Sequence, residues 1–321
     1  MLLLLVGLVA LIAGAELVLR CGSLLARRLG ISPMVIGLTV VSLGTSAPEL
    51  AVGIDASRSG AGSLMIGNIA GTNIVNLLLI LGLSATIRPI VLSAQTFRLD
   101  LPAMAVASVL LLVLALDNSL SAVDGSILVV LALVYTLLLA RITRRETVRA
   151  LADEYGGEVS AQPPRRDAQA TAVQVAGLLV GIVVIVLGAD WLVRGAVDVA
   201  RAAGVSDAFI GLTIIAIGTS APELATTVVA TIRGDRDIAI GNLMGSNTYN
   251  LTFVVGTSLF FAPSAVSLPH ELVAVDLPAM VITALVCIPV FLTGRRVSRR
   301  EGIIFLTGYA AFLTHLLATR L

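Results

Sequence analysis

Two glutamates lie where carboxylates are rare. Glu49 and Glu223 each follow a proline in the heptapeptide GTSAPEL, written at residues 44–50 and again at 218–224, inside long apolar runs. An unpaired charge in such surroundings is costly, so it marks a site rather than filler. Oxygen donors cluster beside both: the hydroxyls of Thr45, Ser46, Thr219 and Ser220. A second pair of segments, GTNIVN (71–76) and GSNTYN (245–250), adds Thr72 with Asn76 and Ser246 with Asn250. The members of each pair are four apart and share a helix face. Two carboxylates, several hydroxyls, amides and backbone carbonyls form a donor set for hard cations. Calcium takes six to eight oxygens in flexible geometry, and two carboxylates balance its charge. Sodium accepts the same oxygens. His270 and His315 fall near the ends of apolar runs, and Cys21 and Cys287 read as packed thiols, so the set offers zinc neither nitrogen nor sulfur.

The backbone at these positions must also be unusual. Pro48 lacks an N–H and crowds the carbonyl of Gly44, and Pro222 does the same to Gly218. The expectation is a local break, with carbonyls freed over 42–45 and 216–219. Irregular backbone at membrane depth is tolerated only where it lines a cavity or meets a ligand.

The elements around this site follow from composition. The chain has 321 residues, of which 57% are hydrophobic and 13% charged, and its mean hydropathy is +1.02. That is too little polar surface to clothe a soluble domain. An all-α polytopic membrane protein is predicted, with ten spans near 2–25, 33–57, 63–86, 98–116, 121–140, 172–194, 207–232, 238–262, 271–293 and 302–319. The opening MLLLLVGLVALIAGAE lacks the basic residues of a signal peptide, and its GAE returns as GAD at 188–190, so it belongs to the fold. Residues 141–171 mix both charge signs with Pro163 and Pro164 and read as a linker containing a short helix. With the N-terminus outside, Arg27, Arg28, Arg88, Arg98, the linker arginines, Arg233, Arg236, Arg295, Arg296, Arg299 and Arg300 all fall on the cytoplasmic side. This predicts a multi-pass cell-membrane protein with both termini outside. A net charge of +1 points away from nucleic acid.

The two motifs belong to a longer repeat. Residues 37–51 match 211–225 at eleven of fifteen positions, and 66–84 align with 240–258 at the same offset. LDLPAM at 99–104 returns as VDLPAM at 275–280. Each half, 1–140 and 172–321, holds five predicted spans. An odd number turns the second copy upside down in the bilayer, the arrangement of secondary transporters with a midplane site.

The doubled GTSAPEL with GN-x-x-G-[ST]-N-x-x-N resembles the alpha repeats of the cation/calcium antiporter superfamily, in its prokaryotic sodium/calcium exchanger branch. The resemblance implies ten transmembrane helices and antiport of sodium against calcium by alternating access. It implies Glu49 and Glu223 as central calcium ligands, aided by the main-chain oxygens of Thr45 and Thr219. Ser46, Ser220, Thr72 and Ser246, with the carbonyls of Ser42 and Ala216, would form flanking sodium sites, and Asn76 and Asn250 would lie in the central plane. Some relatives carry aspartate where Asn250 stands; asparagine there argues against potassium co-transport. The resemblance also suggests that the first and sixth spans slide as gates. Proton/calcium exchange, or exchange of another divalent cation, remains the alternative. An intramembrane lipid-processing enzyme would need a nucleophile with a base or clustered aspartates, patterns missing from the sequence, and a channel is a third class. The expected partners are the two ions and the lipid bilayer, with no cofactor and no obligate protein partner.

Overall fold

The computed structural model describes residues 2–154, 168–204, 216–292 and 294–320. Helix α1 covers Leu2–Leu29. Helices α2 (Pro33–Thr45) and α3 (Ala47–Arg58) are two arms bent by 43° about Ser46. Then come α4 (Gly62–Ile87) and α5 (Thr96–Leu114), α6 (Ala122–Glu154) and α7 (Ala168–Ala202). The second GTSAPEL joins α8 (Ala216–Thr219) to α9 (Ala221–Arg233). Helix α10 (Arg236–Tyr249) runs through a π-helical turn at Asn250–Val254 into α11 (Val255–Leu259). Helices α12 (Leu272–Leu292) and α13 (Arg299–Arg320) complete the fold.

Among the described residues, seven helices are long and apolar enough to cross a bilayer, or eight when α2 and α3 count as one span. Two expected spans fall outside that count for different reasons. The first nine positions of the 207–232 span, with the GLTII of the repeat at 211–215, lie outside the described residues. The 238–262 span is helical as α10–α11 but polar, because Asn242, Ser246, Asn247, Asn250 and Thr252 all point into protein. Burial is unbroken from Ile238 through Thr252, so this helix is wrapped by protein and needs no lipid-facing apolar stripe. The linker reading needs correction at its edges. Residues 141–154 continue α6 and α7 begins at Ala168, while 155–167 lie outside the described residues.

Small residues set how the helices meet. Helices α1 and α7 run antiparallel: Gly7 faces Gly188, Gly14 faces Gly181 and Cys21 faces Gly177. A methyl on Gly14 would stand 2.9 Å from the Gly181 carbonyl oxygen, so only glycine permits this approach. Leu11, Ala15, Val18, Ile182 and Ile185 fill the rest of the seam.

Other contacts exchange elements between the halves. Gly302 of α13 abuts the Gly82 carbonyl of α4, and Gly256 of α11 abuts the Gly125 carbonyl of α6. Four two-residue strands repeat the pattern. β1 (Ile90–Val91) pairs antiparallel with β4 (Arg296–Val297), placing Ile90 opposite Val297. β2 (Ser119–Leu120) pairs with β3 (Val266–Ser267), placing Ser119 opposite Ser267. The helices that follow β2 and β4 start alike. Asp124 accepts both the backbone N–H and the hydroxyl of Ser121 at 2.7 Å, and Glu301 does the same for Ser298 at 2.7 Å. Each pair is a capping arrangement that satisfies a helix N-terminus.

Candidate cation site

Both copies of GTSAPEL break the helix at the same serine. Ser46 has φ −84° and ψ 6°, and Ser220 has φ −87° and ψ 8°. Each proline then falls in the first turn of the following helix, where its missing N–H leaves no hydrogen bond unmade. Proline therefore starts α3 and α9 instead of kinking a continuous helix. Glu49 and Glu223 occupy those first turns, where helix dipoles favour negative charge.

Glu49 is 2% exposed and Glu223 is fully buried, and the two lie close enough for their charges to repel. Glu223 Oε1 accepts hydrogen bonds from Ser46 at 3.3 Å and from Ser246 at 3.5 Å. The serine of the first copy thus reaches the carboxylate of the second. Among the described residues, neither oxygen of Glu49 has a hydrogen-bond partner, and neither does Glu223 Oε2. The same is true of the hydroxyls of Thr72 and Ser220 and of both ends of the Asn76 and Asn250 amides. All of these groups are buried. Such atoms each cost roughly 1–3 kcal/mol when left unsatisfied, and native interiors contain few of them. Here they coincide with residues singled out in the sequence for cation chemistry.

The remaining candidates differ. Thr45 donates to Asn242 Oδ1 at 3.2 Å and approaches Ser246 at 3.5 Å. Thr219 is half-buried, and Ala216 enters only through its backbone, in α8. The Ser42 carbonyl, expected to be freed by the break, accepts the Ser46 N–H at 3.0 Å and competes at 3.3 Å with Asn242 for the single proton of the Thr45 hydroxyl. It stays engaged because the chain turns only after Thr45. Asn73 and Asn247 donate back to the carbonyls of Ile69 and Leu243 at 2.8 and 2.9 Å, which ties each amide nitrogen to its own helix.

The structure adds residues that the sequence did not single out. Asn242 also donates to Thr227 at 3.1 Å, so this pair orients Thr45. Asn242 belongs to the GN of the second repeated motif, a signal that was available. Farther along, Tyr135 donates to the buried Asp100 at 3.0 Å, its ring meets Tyr249 edge to face at 5.7 Å, and the Tyr249 hydroxyl pairs with Thr136 at 2.9 Å. This network abuts the helix carrying Asn250. A cavity of about 540 Å³ leads from exposed Leu64 and Glu271 past Asn68 and Asp276 to Gly71 and Thr72.

Among the described residues, no three His, Cys, Asp or Glu side chains converge as a resident metal site. The site holds two carboxylates in a field of neutral oxygens, a set suited to cations that dehydrate, bind and leave.

The family model described as sodium/calcium exchanger protein matches residues 1–141 and 173–318. The sodium/calcium exchanger MaX1 of Methanosarcina acetivorans is 32% identical over 346 residues, covering 97% of each chain. The inner membrane protein YrbG of Escherichia coli is 37% identical over 266 residues, covering 82% of this chain and 80% of that one. The solved structure of the sodium/calcium exchanger from Methanococcus jannaschii superposes with a TM-score of 0.82 at 28% identity, covering 97% of this chain and 96% of that one.

Proposed function

The chain belongs to the sodium/calcium exchanger protein family, and on that premise we propose that it exchanges sodium for calcium by alternating access at a site between the two GTSAPEL motifs. It is a multi-pass membrane transporter and not an enzyme. In our reading ten spans form two inverted five-helix repeats, joined on the cytoplasmic side by the end of α6 and the residues between it and α7. Support comes from the antiparallel α1–α7 seam and from the pairing of β1 with β4 and β2 with β3. Both termini lie outside the cell membrane, in keeping with the arginine distribution.

The observation that carries the reading is the set of buried oxygens without partners around Glu49 and Glu223. Glu49 and Glu223, with main-chain oxygens of Thr45 and Thr219, hold calcium near the midplane. Asn76 and Asn250 lie in the same plane. Ser46, Ser220, Thr72 and Ser246, with the carbonyls of Ser42 and Ala216, serve sodium. Sodium engagement at Ser42 requires the Thr45 hydroxyl to release that carbonyl.

The coupling follows from electrostatics. Two buried carboxylates without countercharge repel and lack the hydration that water would supply. The empty site therefore resists the change from one facing state to the other. Calcium neutralises the pair with one divalent charge, and sodium ions do so with several single charges over the same oxygens. Because the two loads compete, one leaves as the other enters.

The test is calcium uptake into proteoliposomes holding purified protein. An outward sodium gradient is expected to drive uptake, and dissipating it with a sodium ionophore to stop it. Uptake driven by a pH gradient without sodium would overturn sodium coupling in favour of proton/calcium exchange.

A further inference from the structure

A second polar cavity lies away from the cation site. It encloses about 360 Å³ between α1 and the α9–α10 turn, and Arg20, Ser23, Arg27, Arg233, Glu16 and Asp235 supply its polar lining. Glu16 holds two of the arginines, Arg20 at 2.5 Å on its own helix and Arg233 at 2.6 Å from α9. Among the described residues Arg27 makes no ion pair. Three guanidinium groups thus face two carboxylates, and the cavity carries net positive charge.

Ser23 supplies an independent sign of a ligand. It is 8% exposed, and its hydroxyl has no hydrogen-bond partner among the described residues. Many helical hydroxyls in this molecule turn back to a carbonyl one turn earlier, as Ser42 does to Leu38, Ser108 to Met104 and Thr226 to Pro222. Ser23 leaves its proton donor unspent beside the guanidinium groups. Leu24, next to it, is 42% exposed, which puts acyl-chain contact within reach.

The opposite end of the molecule lacks this construction. At the 174-residue offset Glu16 and Arg20 correspond to Asp190 and Arg194, which form the same pair at 2.9 Å. There, however, Val197 stands for Ser23 and Ser59 stands for Arg233. The buried hydroxyl and the arginine that bridges between helices are therefore properties of one face and not a by-product of the repeat.

We propose that the cavity lined by Arg20, Ser23, Arg27 and Arg233 binds the phosphate of an anionic phospholipid headgroup. Guanidinium forks match phosphate oxygens, and the Ser23 hydroxyl donates to a further one. Basic pockets between helices on the cytoplasmic side are suited to such headgroups. A lipid held by Arg27 of α1 and Arg233 of α9 spans the two halves, tying the seam helix to the helix that carries Glu223.

Native mass spectrometry of the full-length protein, titrated with phosphatidylglycerol or phosphatidylcholine, tests this. Phosphatidylglycerol is expected to be retained over phosphatidylcholine. Arg27→Ala and Arg233→Ala should each weaken retention roughly fivefold, and Arg201→Ala, at the position that mirrors Arg27, should not. Glu16→Gln releases both arginines from their carboxylate and should strengthen retention, an effect in the opposite direction that misfolding does not mimic. Equal retention of the two lipids, or full retention in the Arg27→Ala/Arg233→Ala double variant, overturns the proposal. Displacement by equimolar inorganic phosphate overturns the lipid assignment in favour of free phosphate.

Discussion

The α1–α7 seam and the facing breaks at Ser46 and Ser220 both join one half of the chain to the other, yet they are built on opposite terms. Along the seam glycines bring backbones together and aliphatic side chains close the remaining space. Contacts of this kind bind the two helices into one close-packed pair and, among the described residues, leave no buried polar side chain unmet between their glycines. At the breaks the packing leaves polar atoms facing each other without partners. Those atoms have no good arrangement until something else supplies charge and coordination. Under the proposed exchange mechanism, movement falls to the seam and selectivity to the breaks.

Substitutions in each region can separate those two roles. The largest expected effect comes from Glu49→Gln or Glu223→Gln, each of which removes half of the anionic charge. Sodium-driven calcium uptake should fall to the level of protein-free liposomes, and undiminished uptake in either variant breaks the assignment. Gly14→Leu comes next. Its side chain meets the α7 backbone, and overpacking of this kind costs typically about 1–3 kcal/mol. Exchange should be lost while calcium binding by titration calorimetry persists; equal loss of both would mean that the seam supports the site instead of moving past it. Asn76→Ala or Asn250→Ala removes one neutral ligand of several and should weaken calcium binding about tenfold, or about 1.4 kcal/mol. The smallest change is expected for Ser46→Ala. Its hydrogen bond to Glu223 is long at 3.3 Å, so it should be worth less than the roughly 1.5–3 kcal/mol of a well-made bond to a charged group. A few-fold rise in the calcium concentration giving half-maximal uptake is the expected readout.

The motif residues were legible because each carries a local oddity: acid after proline in an apolar run, or an amide one turn from a hydroxyl. The structure buries most of them and leaves several of their oxygens without hydrogen-bond partners among the described residues. The position of each break was less legible. Proline predicts disruption behind itself, but the chain turns at the preceding serine and spends the Ser42 carbonyl on the last turn of α2. The role of Asn242 escaped because it accepts from Thr45 across about 200 residues of sequence, and Thr227 escaped because its part is to accept from Asn242. The Asp100–Tyr135 pair escaped for the same reason. The 238–262 span was expected from its apolar run, whereas the helix found there carries buried polar residues and falls outside the helices apolar enough to cross a bilayer.

The small strand pairs also bear on how the protein is made. β1 emerges early from the ribosome, but its partner β4 is encoded roughly 200 residues later. At about 5–20 residues per second the wait is on the order of 10–40 s. Throughout that interval residues 90–91 lack the strand partner they have in the finished fold. A chain terminated near the linker would never acquire that partner, so the closure of β1 on β4 depends on the second half of the chain being made.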